Sequence, residues 1–332
     1  MKSKSLRTFF FMVLALMLLI CVNGRSPALA EDFPSKPISI IVAWAPGSGT
    51  DIGARILASI APRYFDVPVN VHNITGGGGT IGTRHVAKAI PDGHTLLFGW
   101  GGGEHTTAPY LRKVPFDTLK DFVPIILVTH MPPVIVAKKE APFNSIEELI
   151  KVAKGNPPGK LKYGASGTGT GTDLVPVVLG IKAGVKFTSV PFTGSGPTVS
   201  AVVGGHVDFG SVPIGAAASL VEAGDLKALA ISSAERFPSA KEIPTFRELG
   251  YDITLDSLKG LAAPAGTPKD RIAILHDKFK KCLDDKQMKK LMSSMMLDIM
   301  YEGPDQYRAT VERLIKDYGE ILKKIGLVKS EG

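Results

Sequence analysis

Ile38-Ser39-Ile40-Ile41-Val42-Ala43-Trp44-Ala45-Pro46-Gly47-Ser48-Gly49-Thr50-Asp51 is the stretch on which the fold reading turns. Its first six residues are rich in β-branched side chains and almost continuously apolar, as in a strand covered on both faces. Pro46-Gly47-Ser48-Gly49-Thr50 breaks that run. From Asp51 to about Ala61, Ile52, Ile56 and Ile60 recur every fourth residue, which predicts a helix with one apolar face. Strand, glycine turn and helix in this order begin a βαβ unit.

The same order recurs on both sides. Residues 67–70 and 95–98 read as strands, each followed by a glycine cluster, Gly76–Gly79 and Gly99–Gly103. Further on, strands are predicted at 134–137, 160–163, 187–190, 206–210 and 226–231, and helices at 173–183 and 197–203. Ser145-Ile146-Glu147-Glu148 has capping-box spacing ahead of a helix through Ala153. Thr267-Pro268 predicts a helix with proline at its first position. Tyr307, Val311, Leu314, Tyr318 and Leu322 draw an apolar stripe along the last helix.

Alternating strands and helices call for mostly parallel, mixed sheets flanked by helices, and there are more units than one sheet usually holds. The stretches Asp121–Ala137 and Asp256–Pro264 read as crossings between two lobes. This gives one lobe at 31–128 plus 258–332, a second at 129–257, and a hinge between them. In such sheets ligands bind beyond the carboxyl ends of the strands, where the glycine-rich loops fall.

A glycine turn leading into a helix presents backbone N–H groups beside the positive end of the helix dipole, a site suited to a carboxylate or phosphate. Three loops have this form. Gly47, Ser48, Gly49, Thr50 and Asp51 belong to the first, Gly78, Gly79 and Thr80 to the second, and Ser166, Gly167, Thr168, Thr170, Thr172 and Asp173 to the third. Trp44 and Trp100 each end a strand beside a glycine loop and are candidate walls for a ligand's carbon skeleton.

Signatures of catalysis and cofactor binding are missing from these loops. Position 52 is isoleucine where a dinucleotide fingerprint needs glycine, and Thr83 stands where a P-loop needs lysine. No Gly-x-Ser-x-Gly elbow occurs, and no histidines are paired at metal-binding helix spacing. The expectation is therefore no enzyme, no cofactor and no metal. The alternatives are an exported hydrolase using Glu104-His105 or a loop serine, or a ligand-sensing partner of a signalling protein.

The chain begins as an exported protein would. Lys2, Lys4 and Arg7 precede an apolar run from Phe9 to Val22, and Ala28-Leu29-Ala30 is a small-x-small cleavage signal. Cleavage after residue 30 would remove four basic residues and no acid, lowering the formal charge from +8 to +4. The lysines between 278 and 290 are interspersed with acids, so no nucleic-acid surface is indicated. Cys282 would be left as the one cysteine of the mature chain, so an internal disulfide is excluded. The destination expected is the periplasm.

At its loops the sequence resembles the periplasmic solute receptors of tripartite tricarboxylate transporters, the Bug or TctC family. The resemblance runs through Phe33–Ile38, Ala45–Asp51, Gly76–Gly82, Ala87–Gly93, Tyr163–Gly171, Pro191–Ser195, Gly204–Asp208 and Leu261–Pro268. It implies a type II periplasmic binding protein: two α/β lobes on a hinge, closing as a monomer around a small carboxylate delivered to integral membrane permease subunits. Phe192, Thr193 and Asp208 enter the candidate site through these fragments. In two places the sequence departs from the family pattern: Asp173 stands where histidine is common, and Phe192-Thr193 where tyrosine and lysine are usual. If Asp173 and Thr193 face the cleft, they disfavour a highly charged anion, and the expected ligand carries one carboxylate and is aromatic or amine-bearing.

Overall fold

The computed structural model describes residues 33–324 and 326–328, so the signal peptide expected at 1–30 lies outside the described residues. In chain order the strands are β1 (Ile38–Val42), β2 (Val69–Asn73), β3 (Thr95–Phe98), β4 (Phe122–His130), β5 (Pro133–Lys138), β6 (Lys162–Ala165), β7 (Thr188–Pro191), β8 (Phe209–Pro213), β9 (Leu226–Ile231), β10 (Leu258–Pro264) and β11 (Ile299–Glu302). They form a six-stranded sheet, β11-β4-β10-β3-β1-β2, and a five-stranded sheet, β7-β6-β8-β5-β9. Helices flank both, giving the two-lobed α/β fold.

Each sheet has a parallel half. β1 pairs in parallel with β2 and β3, and β6 with β7 and β8. The other five pairings are antiparallel, so the sheets are mixed but not mostly parallel. The reason lies in the crossings. Asp121–Ala137, expected as a connection, is filled by β4 in one sheet and β5 in the other, with only Met131 and Pro132 between them. On the return, β10 lies antiparallel between β3 and β4. Met131 N–H donates to Ser257 O at 2.8 Å and ties the two crossings together.

Several boundaries differ from the sequence expectation for local reasons. The strand predicted at 206–210 starts at Phe209, because His206 N–H closes the preceding helix on Ala201 O and Asp208 spends its carboxylate on Lys162 N–H. Ser145 does cap Ile146–Lys154 by accepting from Glu148 N–H, but Glu148 reaches back to Asn144 N–H rather than to Ser145. Pro268 sits at the N-cap of Lys269–Asp284, one place earlier than predicted, while Thr267 Oγ1 donates to Pro264 O. The helix Ile214–Glu222 has no counterpart in the sequence reading.

Trp100 is 0% exposed in the core of the first lobe. Its ring meets Tyr307 edge-on at 5.1 Å, and its Nε1 donates to Thr118 O. Tyr307, Val311 and Leu322 of the predicted stripe on Pro304–Lys324 are buried. Cys282 is buried too, and burial pushes its thiol up to about 12, so it is not a reactive group.

Candidate functional site

β1, β3 and β6 all deliver their chains to one place between the sheets. The loops after them, together with Met131 and Pro133 of the crossing and Ser257 and Lys259 of the return, enclose a cavity of about 40 Å³. Of the sequence candidates, Trp44, Ser48, Thr50, Ser166, Thr170 and Thr172 line it. A second pocket of about 300 Å³ also has Trp44 in its wall. Gly78, Gly79, Gly167, Thr168, Phe192 and Thr193 line that pocket, beside Arg112. The candidate residues are thus split between two chambers that share an indole wall.

The lobes are closed on one another. Gly49 N–H donates to Ser195 Oγ at 3.3 Å, and Thr107 Oγ1 donates to Gly169 O at 2.6 Å, both from the first lobe to the second. A Cβ on Gly103 would stand 2.9 Å from Thr170 Cα, so only glycine lets these two backbones approach.

The loops differ from the expectation of bare amides. Gly47 N–H is taken by Asp51, Asp51 N–H by Ser48 Oγ, Ser166 N–H by Thr172 Oγ1 and Gly169 N–H by Asp173. Hydroxyls and carboxylates of the loops themselves thus take four of the amides that the sequence suggested for a ligand. Ser166 Oγ is a buried exception with no partner.

Other candidates lie outside both chambers. Asp51 braces its loop, accepting from Arg55 and Asn73 as well as Gly47, and Thr80 Oγ1 donates to Gly77 O. Trp100 faces the core, as described. Asp208 stands at the starting ends of β6 and β8, opposite the site, because its carboxylate opens the β6 ladder. Asp173 lies under the third loop, accepting from Tyr163 OH at 2.8 Å, Ser189 Oγ at 2.7 Å and Gly169 N–H at 2.9 Å. It does not line the cavity, so it does not present its charge to a ligand there.

The two ionisable groups of the cavity wall, Glu104 and Lys259, were not in the sequence-based ligand site. They are 2% and 3% exposed. Trp44 Nε1 donates to Glu104 Oε1 at 3.2 Å, and Lys259 Nζ donates to Ser257 Oγ at 2.8 Å. Burial pushes the Glu104 carboxyl above its usual range against the pull of Lys259, and burial lowers the Lys259 ammonium. Glu104 carried a signal, as half of the acid–histidine pair at a strand end. Lys259 carried none, since it lies alone in an apolar run. His105 points away from the cavity, its ring against Phe116 and Phe122 and both nitrogens without a hydrogen-bond partner. Burial holds its pKa down at about 3, so it stays neutral. With Nδ1 3.8 Å from Glu104 Oε1, the two do not form an acid–base couple.

Two lobes, a crossing that joins them and a small cavity at the strand ends define a solute-binding protein. The chain belongs to the tripartite tricarboxylate transporter family receptors, whose family model matches residues 46–327. A Cupriavidus necator relative, described as a UPF0065 protein in the gbd 5' region, is 33% identical over 305 residues, 92% of each chain. The periplasmic binding protein BugD is 31% identical with a TM-score of 0.84, covering 90% of this chain and 100% of its own. MatC from Rhodopseudomonas palustris, solved with bound malate, is 28% identical with a TM-score of 0.82, covering 87% of this chain and 100% of its own. Among the described residues no helix is long and apolar enough to cross a membrane, and no cluster of His, Cys, Asp and Glu suits a metal ion.

Proposed function

We propose that this receptor captures a small carboxylate between its lobes, leaves it chemically unchanged and presents it to an integral membrane permease. The observation that carries the reading is Lys259, a buried cation on the wall of a cavity built from strand-end loops of both lobes. A charge costs much to bury unless a counter-charge meets it, and a ligand carboxylate would do so. Trp44, Met131, Pro133 and Pro213 supply the apolar wall, with Ser48, Thr50, Ser166, Thr170 and Thr172 as hydroxyl partners. The malate in MatC supports a carboxylate as the ligand class.

The protein acts in the periplasm after loss of residues 1–30, as a monomer, and closure of the lobes is what the permease reads. The space inside, about 40 Å³, is room for roughly three waters at ~10–15 Å³ each, and with one buried cation it suits a ligand with a single carboxylate. Isothermal titration against mono-, di- and tricarboxylates, with recovery of the ligand by mass spectrometry, tests this. Binding of a monocarboxylate recovered intact is expected. Tightest binding to citrate rejects the single-carboxylate reading, and turnover of the ligand rejects the receptor reading.

A further inference from the structure

Glu104 and Lys259 line the same cavity with opposite charges, yet no ion pair within 4.0 Å joins them. A Cβ built on Gly102 would lie 2.7 Å from Glu104 Oε2 and 2.9 Å from Lys259 Nζ, so the two atoms are less than about 6 Å apart. Each is under-satisfied. The only side-chain donor to Glu104 is the neutral indole N–H of Trp44, on Oε1. Lys259 has one acceptor, Ser257 Oγ, for three protons. Two opposite buried charges held just out of contact leave a place for a molecule carrying both complementary charges.

We infer that the cavity takes a zwitterion, with the ligand's ammonium on Glu104 Oε2 and its neighbouring carboxylate on Lys259 Nζ. The inference rests on the carboxylate-receptor reading and narrows it to small amino acids with ammonium and carboxylate on adjacent carbons. A small amino acid lets the four charges alternate around a ring, each beside two of opposite sign, and a cavity of about 40 Å³ favours the shortest linker between ammonium and carboxylate. Trp44 holds Glu104 through Oε1, and no side chain donates to Oε2. Ser166 Oγ, buried without a partner on the same wall, is available to the ligand as a further hydrogen-bonding group. The limited volume favours the smallest side chains.

The test compares L-alanine with propionate, which differ only by the ammonium group, and glycine with acetate, by isothermal titration. The parent protein should bind each amino acid at least ten-fold more tightly than its deaminated partner, a comparison that needs no variant. In Glu104→Gln the order should reverse: L-alanine weakens at least ten-fold while propionate tightens, because a repelling carboxylate is gone. Lys259→Met should weaken both. Equal binding of L-alanine and propionate to the parent, or equal strengthening of both by Glu104→Gln, would make Glu104 a mere counter-ion and overturn the inference while leaving the carboxylate reading in place. Binding of neither ligand pair, with no other small carboxylate bound, would overturn both.

Discussion

Asp173 and Glu104 both lie in the first helical turn after a glycine-rich loop at a strand end, one on each lobe, and both are buried, at 7% and 2% exposed. Asp173 is saturated by a phenol, a hydroxyl and a backbone amide. Glu104 receives a single side-chain hydrogen bond, from an indole, and faces a lysine it does not touch. The first acid is spent within its own lobe and braces the loop that meets the partner lobe. The second is held at the boundary of an enclosed space with capacity unused. A buried carboxylate therefore says little by itself about ligand binding, and its remaining hydrogen-bond capacity says much more.

The largest effect should separate these two roles in stability. Asp173→Ala leaves Gly169 N–H without its acceptor and Tyr163 OH with only its 3.2 Å bond to Asp173 O, and should lower unfolding free energy by about 3 kcal/mol in urea denaturation. A loss under about 0.5 kcal/mol would break the contrast. Next, Glu104→Gln leaves Lys259 as an uncompensated buried charge and should cost about 2 kcal/mol, whereas Glu104→Gln with Lys259→Met should return within about 1 kcal/mol of the parent. A double variant as unstable as the sum of the singles would mean that the two groups are independent.

Asp256 on the return crossing is a third case and should show the smallest effect. It pairs directly with His130 at the end of β4. Burial works against the charged imidazole, but Asp256, with help from Asp298, raises the His130 pKa above its usual value. The contribution is thus present in full below the unfolded pKa of about 6.5 and is lost as pH rises through the folded value. The pair is part-buried and its effect should stay below about 1 kcal/mol. Unfolding midpoints from pH 6 to 9 should fall more in the parent than in His130→Gln; parallel profiles would remove the pair from the account.

Local patterns made much of this legible. The apolar run at 38–43, the glycine turn after it and the helix period beyond carry their own geometry, so β1 and Gly49–Ile60 were readable within two or three residues. The loops around Ser48, Thr50, Ser166, Thr170 and Thr172 were readable too, because strand ends in such sheets converge. β4 was not. Pro124 and the Pro132-Pro133 pair disguise it, yet Pro124 is accommodated within a strand whose pairing with β10 shifts register beside Ala262. The two tryptophans also looked alike in sequence, each beside glycines, and only packing sends Trp100 against Tyr307 and Trp44 to the cavity.

By itself, the sequence determined the alternation of elements, the glycine turns and the residue types at the strand ends, because these depend on backbone freedom and apolar periodicity over a few neighbours. Tertiary structure alone decided which hydroxyls would consume the loop amides, which acid would be satisfied and which would not. It also brought Lys259, 155 positions from Glu104 in the chain, to the same small space. Electrostatic complementarity acts through space and depends on burial, and neither quantity is written in the order of residues.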